Sequence, residues 1–188
     1  MAWVGKIVLP LAALVIAALV AYKLNQPPRP HPPLDAALRS PAIPFEMFDQ
    51  DSKLFRLSRY LGRHKLVIVF YIDAESGEQL SPLERLRREA EEIKKSGVYF
   101  VAVSAATPYA HREAIKRVFG TKSRMPFPLL SDPTFAIHQQ WGAFDRESGR
   151  ALEATFVVDR AGRICWSRIG PEPFTEVPVL IQAVKDEG

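Results

Sequence analysis

Two hydrophobic rhythms alternate along most of this chain. Leu66-Val67-Ile68-Val69-Phe70-Tyr71 is an unbroken β-branched and aromatic run, the pattern of a central strand buried on both faces. Val98–Val103 repeats it. Between the two runs, Leu83, Leu86, Ala90 and Ile93 recur at helical spacing with charges on the other side. Ser81 suits the N-cap, Pro82 the first helical position, Glu84 completes a capping box, and Gly97 supplies a left-handed stop. A second helix is expected from Pro108 to Phe119, closed by Gly120, with Ala110, Ala114, Ile115 and Val118 facing inward. Short strands are expected at Phe45–Phe48 and Phe55–Leu57, around the turn Asp49-Gln50-Asp51-Ser52. Phe127–Pro133 reads as a short strand and turn, and Thr134–Trp141 as a third helix ended by Gly142, with Trp141 and Phe144 closing it against the sheet. Ala154–Val158 and Arg163–Ile169 form a hairpin across Asp159-Arg160-Ala161-Gly162, and Glu176–Lys185 forms a final helix. Strands alternating with helices, then a terminal hairpin, imply an α/β domain with a mixed central sheet covered on both faces.

Ahead of this domain the rhythm changes. Ile7 to Tyr22 is an unbroken apolar run, extended by Ala2–Val4 beyond Lys6. Crossing a bilayer takes roughly 20 residues, a lysine near the end can reach the headgroups, and Trp3 and Tyr22 stand where interfacial aromatics belong. Residues 1–24 are therefore expected to be a transmembrane anchor, with membrane contact over residues 2–22. A cleaved signal peptide and a buried helix are the competing readings. The small-residue site Leu19-Val20-Ala21 is a poor cleavage signal. A short N-terminus before a first apolar segment resembles a bacterial signal-anchor, which would place the domain outside the cytoplasm. The flanking charges Lys6, Lys23 and Arg29 lean slightly the other way. Residues 25–41 form a Pro-rich tether carrying Pro27, Pro28, Pro30, Pro32, Pro33 and Pro41, a density that excludes helix and favours stiff extended chain. Residues 42–188 form the folded domain.

Composition adds little beyond this division. Apolar residues make up 47% of the 188, enough for a core. The net charge of +4 comes mostly from the N-terminal segment, where Lys6, Lys23, Arg29 and Arg39 face only Asp35. The remainder is near neutral, with no basic face of the kind that binds nucleic acid.

Four stretches carry a family likeness. Pro44-Phe45-Glu46-Met47-Phe48-Asp49-Gln50-Asp51-Ser52-Lys53, followed by Leu57-Ser58-Arg59-Tyr60-Leu61-Gly62, resembles the opening of peroxiredoxins. Lys65–Tyr71 is similar to their first core strand, Phe127–Pro133 to their "F-P-L-L-S-D-P" segment, and Ala154–Gly162 to "G-T-F-V-I-D-x-x-G". In this order and spacing the domain resembles the alkyl hydroperoxide reductase/thiol-specific antioxidant family of redoxins. The resemblance implies a thioredoxin fold, thiol-dependent antioxidant peroxidase chemistry, no cofactor, and a tendency to homodimerise.

Carried over residue by residue, that chemistry fails. The family's active-site loop places a Pro, a Thr or Ser, and the reactive Cys at a helix N-terminus. An Arg comes from the strand bearing "R-G-T-F". Helix N–H groups and the Arg lower the thiol pKa, and the hydroxyl and Arg orient the peroxide. The matching positions here are Ile72, Ser76, Gln79 and Glu153. Only the hydroxyl survives. Gln79 cannot attack a peroxide, and Glu153 would oppose an anionic nucleophile. A thioredoxin-type C-x-x-C would fall on Glu75-Ser76-Gly77-Glu78, and the cis-proline of that branch again on Glu153.

Cys165 is the only thiol. On a strand it reads as a small, half-buried hydrophobe. The sharper reading is a reactive thiol tuned by Arg163 or Arg168. Asp73, Glu75 and Glu78, with Glu153, are oxygen donors suited to Ca²⁺ or Mg²⁺, or else a solvated acidic loop near a helix N-terminus. His31, His64, His111 and His138 show no metal-ligand spacing and read as solvated or packing residues. The charges of Arg85–Lys95 read as solvated helix surface with i,i+4 pairing. The sequence therefore points to a redoxin scaffold used for binding a protein partner at a degenerate cleft. The alternative is a thiol-dependent oxidoreductase working through Cys165.

Overall fold

The computed structural model describes residues 40–72 and 82–170, together with the single helical residue Gln182. The chain divides into two units, Met1–Pro30 and His31–Gly188, and every described residue belongs to the second. The expected anchor at 1–24, the tether up to residue 39 and all but one residue of the final helix lie outside the described residues. Among those that are described, no helix is long and apolar enough to cross a membrane.

The described chain is paired from its first residue. The Ile164 N–H donates to the Ser40 carbonyl (2.8 Å) and the Ala42 N–H to that of Gly162 (2.8 Å), so Ser40–Ala42 already lies against the terminal hairpin. A short hairpin follows, β1 (Glu46–Phe48) and β2 (Leu54–Arg56), in antiparallel register with Met47 opposite Phe55. Its turn is tied by the Asp49 carboxylate, which accepts from the N–H groups of Asp51 (2.9 Å) and Lys53 (2.8 Å). Leu57, expected in the second strand, instead opens a 3-10 turn, Leu57–Arg59.

The main sheet contains β3 (Leu66–Phe70), β4 (Tyr99–Ser104), β5 (Leu129–Ser131), β8 (Ala154–Val158) and β9 (Ile164–Ile169), in the order β5-β4-β3-β8-β9. β3, β4 and β5 run parallel, while β8 is antiparallel to both β3 and β9. Two further two-residue strands, β6 (Phe144–Asp145) and β7 (Arg150–Ala151), form a separate hairpin that the sequence did not announce.

Every residue of β3 is buried, so both faces of the sheet must be covered. One face packs Val67, Val69, Tyr71 and Phe100 against α1 (Pro82–Lys95) and α2 (Pro108–Phe119). Leu83, Leu86, Ala90 and Ile93 supply α1's buried stripe, as their spacing requires. Gly97 follows at φ 74°, the left-handed stop. On α2, Thr107 caps the N-terminus by accepting from the Ala110 N–H (3.2 Å). The other face buries Ile68, Phe70, Val101, Val103 and Phe156 under the β1–β2 hairpin and Trp141.

The third helix, α3, is shorter than its pattern suggested, Ala136–Gln140 instead of Thr134–Trp141. The reason is local. Phe135 sits at φ 58°, ψ 17°, a left-handed conformation that a bulky side chain rarely adopts and that cannot continue a helix. Asp132 serves the helix instead. Its carboxylate accepts from the N–H groups of Ile137 and His138 (both 2.9 Å) and from the ring Nδ1 of His138 (2.8 Å). Beside a carboxylate acceptor that nitrogen carries the proton. His138 is fully buried, so it and the equally buried His111 are packing residues.

Two departures from simple patterning matter. The face of α1 taken for solvated surface carries an i,i+4 pair, Arg87 with Glu91 (3.8 Å), but Glu89 is buried at 8% exposure beside Leu86, Ala90 and Ile93. Burial raises its carboxyl to about 7, against the pull of Arg85 and Arg88. On β9, a bulge shifts the register at Val157/Val158, with Ile164 opposite Val158 and Trp166 opposite Val157. Cys165 is the extra residue, and it shares a core face with Trp166.

Two outcomes follow from the buried carboxyls. A raised folded pKa means the native state holds its proton longer than the unfolded chain, so Glu89 erodes stability as pH rises from about 4.5 to about 7. Glu89→Gln is expected to raise the thermal midpoint at pH 8 by about 2–4 °C, the shift that 1 kcal/mol produces in a domain of this size. The gain should vanish near pH 5 in a calorimetric series, and equal gains at both pH values would show that charge is not the cause. Asp132 behaves oppositely. Burial raises its carboxyl, but the bonds from His138 and Ile137 outweigh this and hold it below the ordinary carboxylate value. Its contribution is present above about pH 4 and is lost as pH falls through the depressed value. Asp132→Asn should cost about 1–2 kcal/mol in denaturant unfolding at pH 7, with the gap closing only in acid.

Candidate functional site

β3 and β4 both point their C-terminal ends at a concavity of ≈ 660 Å³. Tyr71 and Ile72 line it as the chain leaves β3, and Ala105 and Ala106 as it leaves β4. Phe135 and the β7 residues Arg150 and Ala151 form the opposite wall. The carboxyl end of parallel strands is where open α/β sheets place their ligands. The walls are mainly apolar, with Arg150 supplying the one charged side chain among the described lining residues.

The local chemistry holds this wall in place. Tyr71 is buried, and its hydroxyl lies 3.2 Å from Nδ1 of His111 on α2, which ties the end of β3 to the second helix. Phe135 packs on His138 (5.6 Å between centroids) and on Phe144 (5.3 Å), so its strained backbone is fixed from two sides. The Ser104 hydroxyl accepts from the Ala106 N–H (3.1 Å) and shapes the turn after β4.

Ile72 occupies the loop's opening position and is exposed at the mouth. Ser76 and Gln79, at the hydroxyl and thiol positions, lie outside the described residues, as do the candidate oxygen donors Asp73, Glu75 and Glu78. Among the described residues no group of three metal-binding side chains comes together. Glu153 stands just before β8, and its carbonyl accepts from the Gly170 N–H (2.9 Å). Its carboxylate is 3.9 Å from Nη2 of Arg85 on α1, both side chains being largely buried. Position 153 thus carries an anion, and a cation reaches it from the helix.

Patterning gave no warning of Arg85, which sits in a stretch of surface charges. Its neighbours Leu83 and Leu86 enter the core, and Glu153 alternates with Thr155 and Val157, whose face packs on α1. That shared face was the available signal. Arg168, opposite Thr155, is a further buried charge at this end of the sheet.

Cys165 is elsewhere. It is 7% exposed, and its Sγ donates to the Val157 carbonyl at 3.4 Å. Its neighbour Trp166 pairs with Val157, and Val157 with Val67, near the start of β3. Ile72 lies five residues further along, roughly 16 Å by strand rise. The only thiol and the cleft occupy opposite ends of the sheet.

Comparison with known proteins agrees with this scaffold. The family model described as "AhpC/TSA family" matches residues 38–167. The chain is 34% identical over 122 residues to alkyl hydroperoxide reductase E of Mycobacterium tuberculosis, covering 64% of this chain and 76% of that protein. It is 33% identical over 122 residues to a chloroplastic peroxiredoxin Q of Populus jackii, covering 63% of this chain and 53% of that one. Among solved structures, the peroxidoxin BcpB of Mycobacterium tuberculosis superposes with a TM-score of 0.63 at 20% identity, over 79% of this chain and 96% of that one. The mitochondrial 2-Cys peroxiredoxin of Plasmodium falciparum gives 0.61 at 18%, over 78% and 91%. A mixed sheet with this order, the cleft at the ends of β3 and β4 and the matched span together place the chain in the AhpC/TSA family of peroxiredoxin-like redoxins.

Proposed function

We propose that this domain is a redoxin that has given up thiol peroxidase chemistry and binds a protein partner through the cleft at the ends of β3 and β4. One observation carries the reading. The only sulfur nucleophile, Cys165, is packed in the core at the far end of the sheet from that cleft. A peroxide in the cleft meets no thiol, because the family's cysteine position holds Gln79. The strand position that would supply an arginine holds Glu153, which faces Arg85. The cleft itself has the size and apolar lining of a ligand-binding concavity. In this reading residues 1–24 anchor the chain in a membrane, residues 25–41 hold the domain off it, and the domain faces away from the cytoplasm.

A second reading has its own support. The relatives' names, alkyl hydroperoxide reductase and peroxiredoxin, denote thiol peroxidases. On that reading Cys165 would serve as a relocated nucleophile, which needs it exposed and ionised.

The deciding experiment measures peroxide turnover by the full-length chain with dithiothreitol or thioredoxin as reductant, with Cys165→Ser beside it. The expected result is no turnover above reagent background in either protein, and slow labelling of Cys165 by a thiol reagent until the fold is denatured. Turnover that disappears in Cys165→Ser would overturn the binding reading. The anchor is checked separately by alkaline extraction of membranes. The intact chain should stay in the pellet, a chain lacking residues 1–24 should not, and release of both would remove the membrane from the proposal.

A further inference from the structure

A second cavity, ≈ 350 Å³, opens on the β5 edge of the domain, where the β1–β2 turn, α2 and the loop before β5 meet. Its floor is apolar, formed by Ile115 and Met125. Its rim carries three cations, Arg112, Lys116 and Arg124, and two hydroxyls, Thr121 and Ser123, against the single carboxylate of Asp51. That carboxylate already has Lys53 at 3.8 Å.

The cations are not equivalent. Arg112 is half-buried and held in place. Its Nη1 donates to the Gln50 carbonyl (2.8 Å) and more loosely to the Ser52 hydroxyl (3.3 Å). Gln50 is in turn fixed, because its side-chain oxygen accepts from the Leu129 N–H at 2.7 Å. A guanidinium has five donors in a rigid fork, and only one of its nitrogens is engaged here among the described residues. Lys116 is shared with Glu113 (2.7 Å) on the exposed side of α2. Arg124 is exposed, and no carboxylate of the described residues lies within ion-pair distance of it. The cavity thus presents two guanidiniums that its own residues do not neutralise.

The C-terminal end of α2 opposes an anion here, since its dipole is negative. That cost is reduced where the last carbonyls are occupied. The Lys116 carbonyl accepts from the Gly120 N–H (2.9 Å), and the Phe119 carbonyl accepts from the Ser123 hydroxyl (2.6 Å).

We infer that this cavity binds the dianionic phosphoryl group of a small phosphomonoester, with the ester's apolar body on Ile115 and Met125. Arg112 supplies a fixed fork, Arg124 and Lys116 close over the oxygens, and Thr121 donates from the rim. Guanidinium pairs favour phosphoryl oxygens for their planar, two-pronged geometry. A nucleic-acid backbone fits less well, because the cations gather in one concavity and do not form a stripe along the surface. The site is independent of the cleft and of the proposed loss of peroxidase chemistry.

The test uses the full-length chain, titrated calorimetrically with phenyl phosphate and, in parallel, with inorganic phosphate at constant ionic strength. One saturable site is expected for phenyl phosphate, with weaker binding of inorganic phosphate, which lacks the apolar body. Arg124→Gln should weaken the phenyl phosphate site about tenfold. Arg124→Lys should recover part of the loss, and Arg63→Gln, on a distant turn, should change nothing. Arg112→Gln should abolish binding, but it also loosens the β1–β2 turn, so Arg124 is the deciding position. Equal affinity for the two probes would remove the apolar floor from the inference. Absence of saturable binding at millimolar ligand, or affinity unchanged in Arg124→Gln, would overturn it.

Discussion

Strand β3 has no residue that reaches solvent, and the rest of the domain follows from that. A strand buried on both faces needs two layers of cover, and the chain supplies them from different sources. α1 and α2 close one side with aliphatic stripes. The β1–β2 hairpin and Trp141 close the other with aromatic rings, Phe70 meeting Trp141 at 6.1 Å between centroids and its sheet neighbour Phe156 at 5.7 Å. Just past the end of β3, buried Tyr71 and exposed Ile72 line the wall of a cleft. The cleft lies at the carboxyl ends of parallel strands, so it is a property of the fold before it is a property of any reaction.

The same distinction separates scaffold from site. Sheet order, helix positions and the Tyr71–His111 link all belong to the scaffold. The Arg85–Glu153 contact belongs to the chemistry. At 3.9 Å it is an ion pair without a short hydrogen bond, and it balances charge between the strand and the helix. A carboxylate on the strand and a guanidinium on the helix stabilise one another there.

The sequence showed the parts of this architecture that depend on local pattern. Leu66–Tyr71, the α1 stripe, the caps at Gly97 and Gly120 and the β8–β9 hairpin all came from spacing and turn chemistry. What escaped needed a third dimension. β6 and β7 are two residues each, too short for any period to register. Phe135 breaks the third helix through a backbone conformation its side chain gives no hint of. Glu89 was grouped with solvated charges, yet it falls three residues from Leu86 and four from Ile93, on the edge of the buried stripe. At the site, the positions of Ile72, Glu153 and Cys165 were legible along the chain. The pairing of Glu153 with Arg85, 68 residues apart in sequence, was not, because it depends on how α1 crosses β8. Nor did alternation place Cys165 on the same side as Trp166; only the bulge does that.

The bulge has one more consequence. By adding a residue to β9, it turns the chain's single sulfhydryl inward, onto the Val157 carbonyl and away from solvent. In its native state this thiol is shielded from exchange with glutathione, from mixed disulfides and from metal capture, all of which require an accessible thiolate. No crosslink within the chain is available to form or break. The fold therefore rests on packing alone, with no disulfide of its own for the surroundings to make or break.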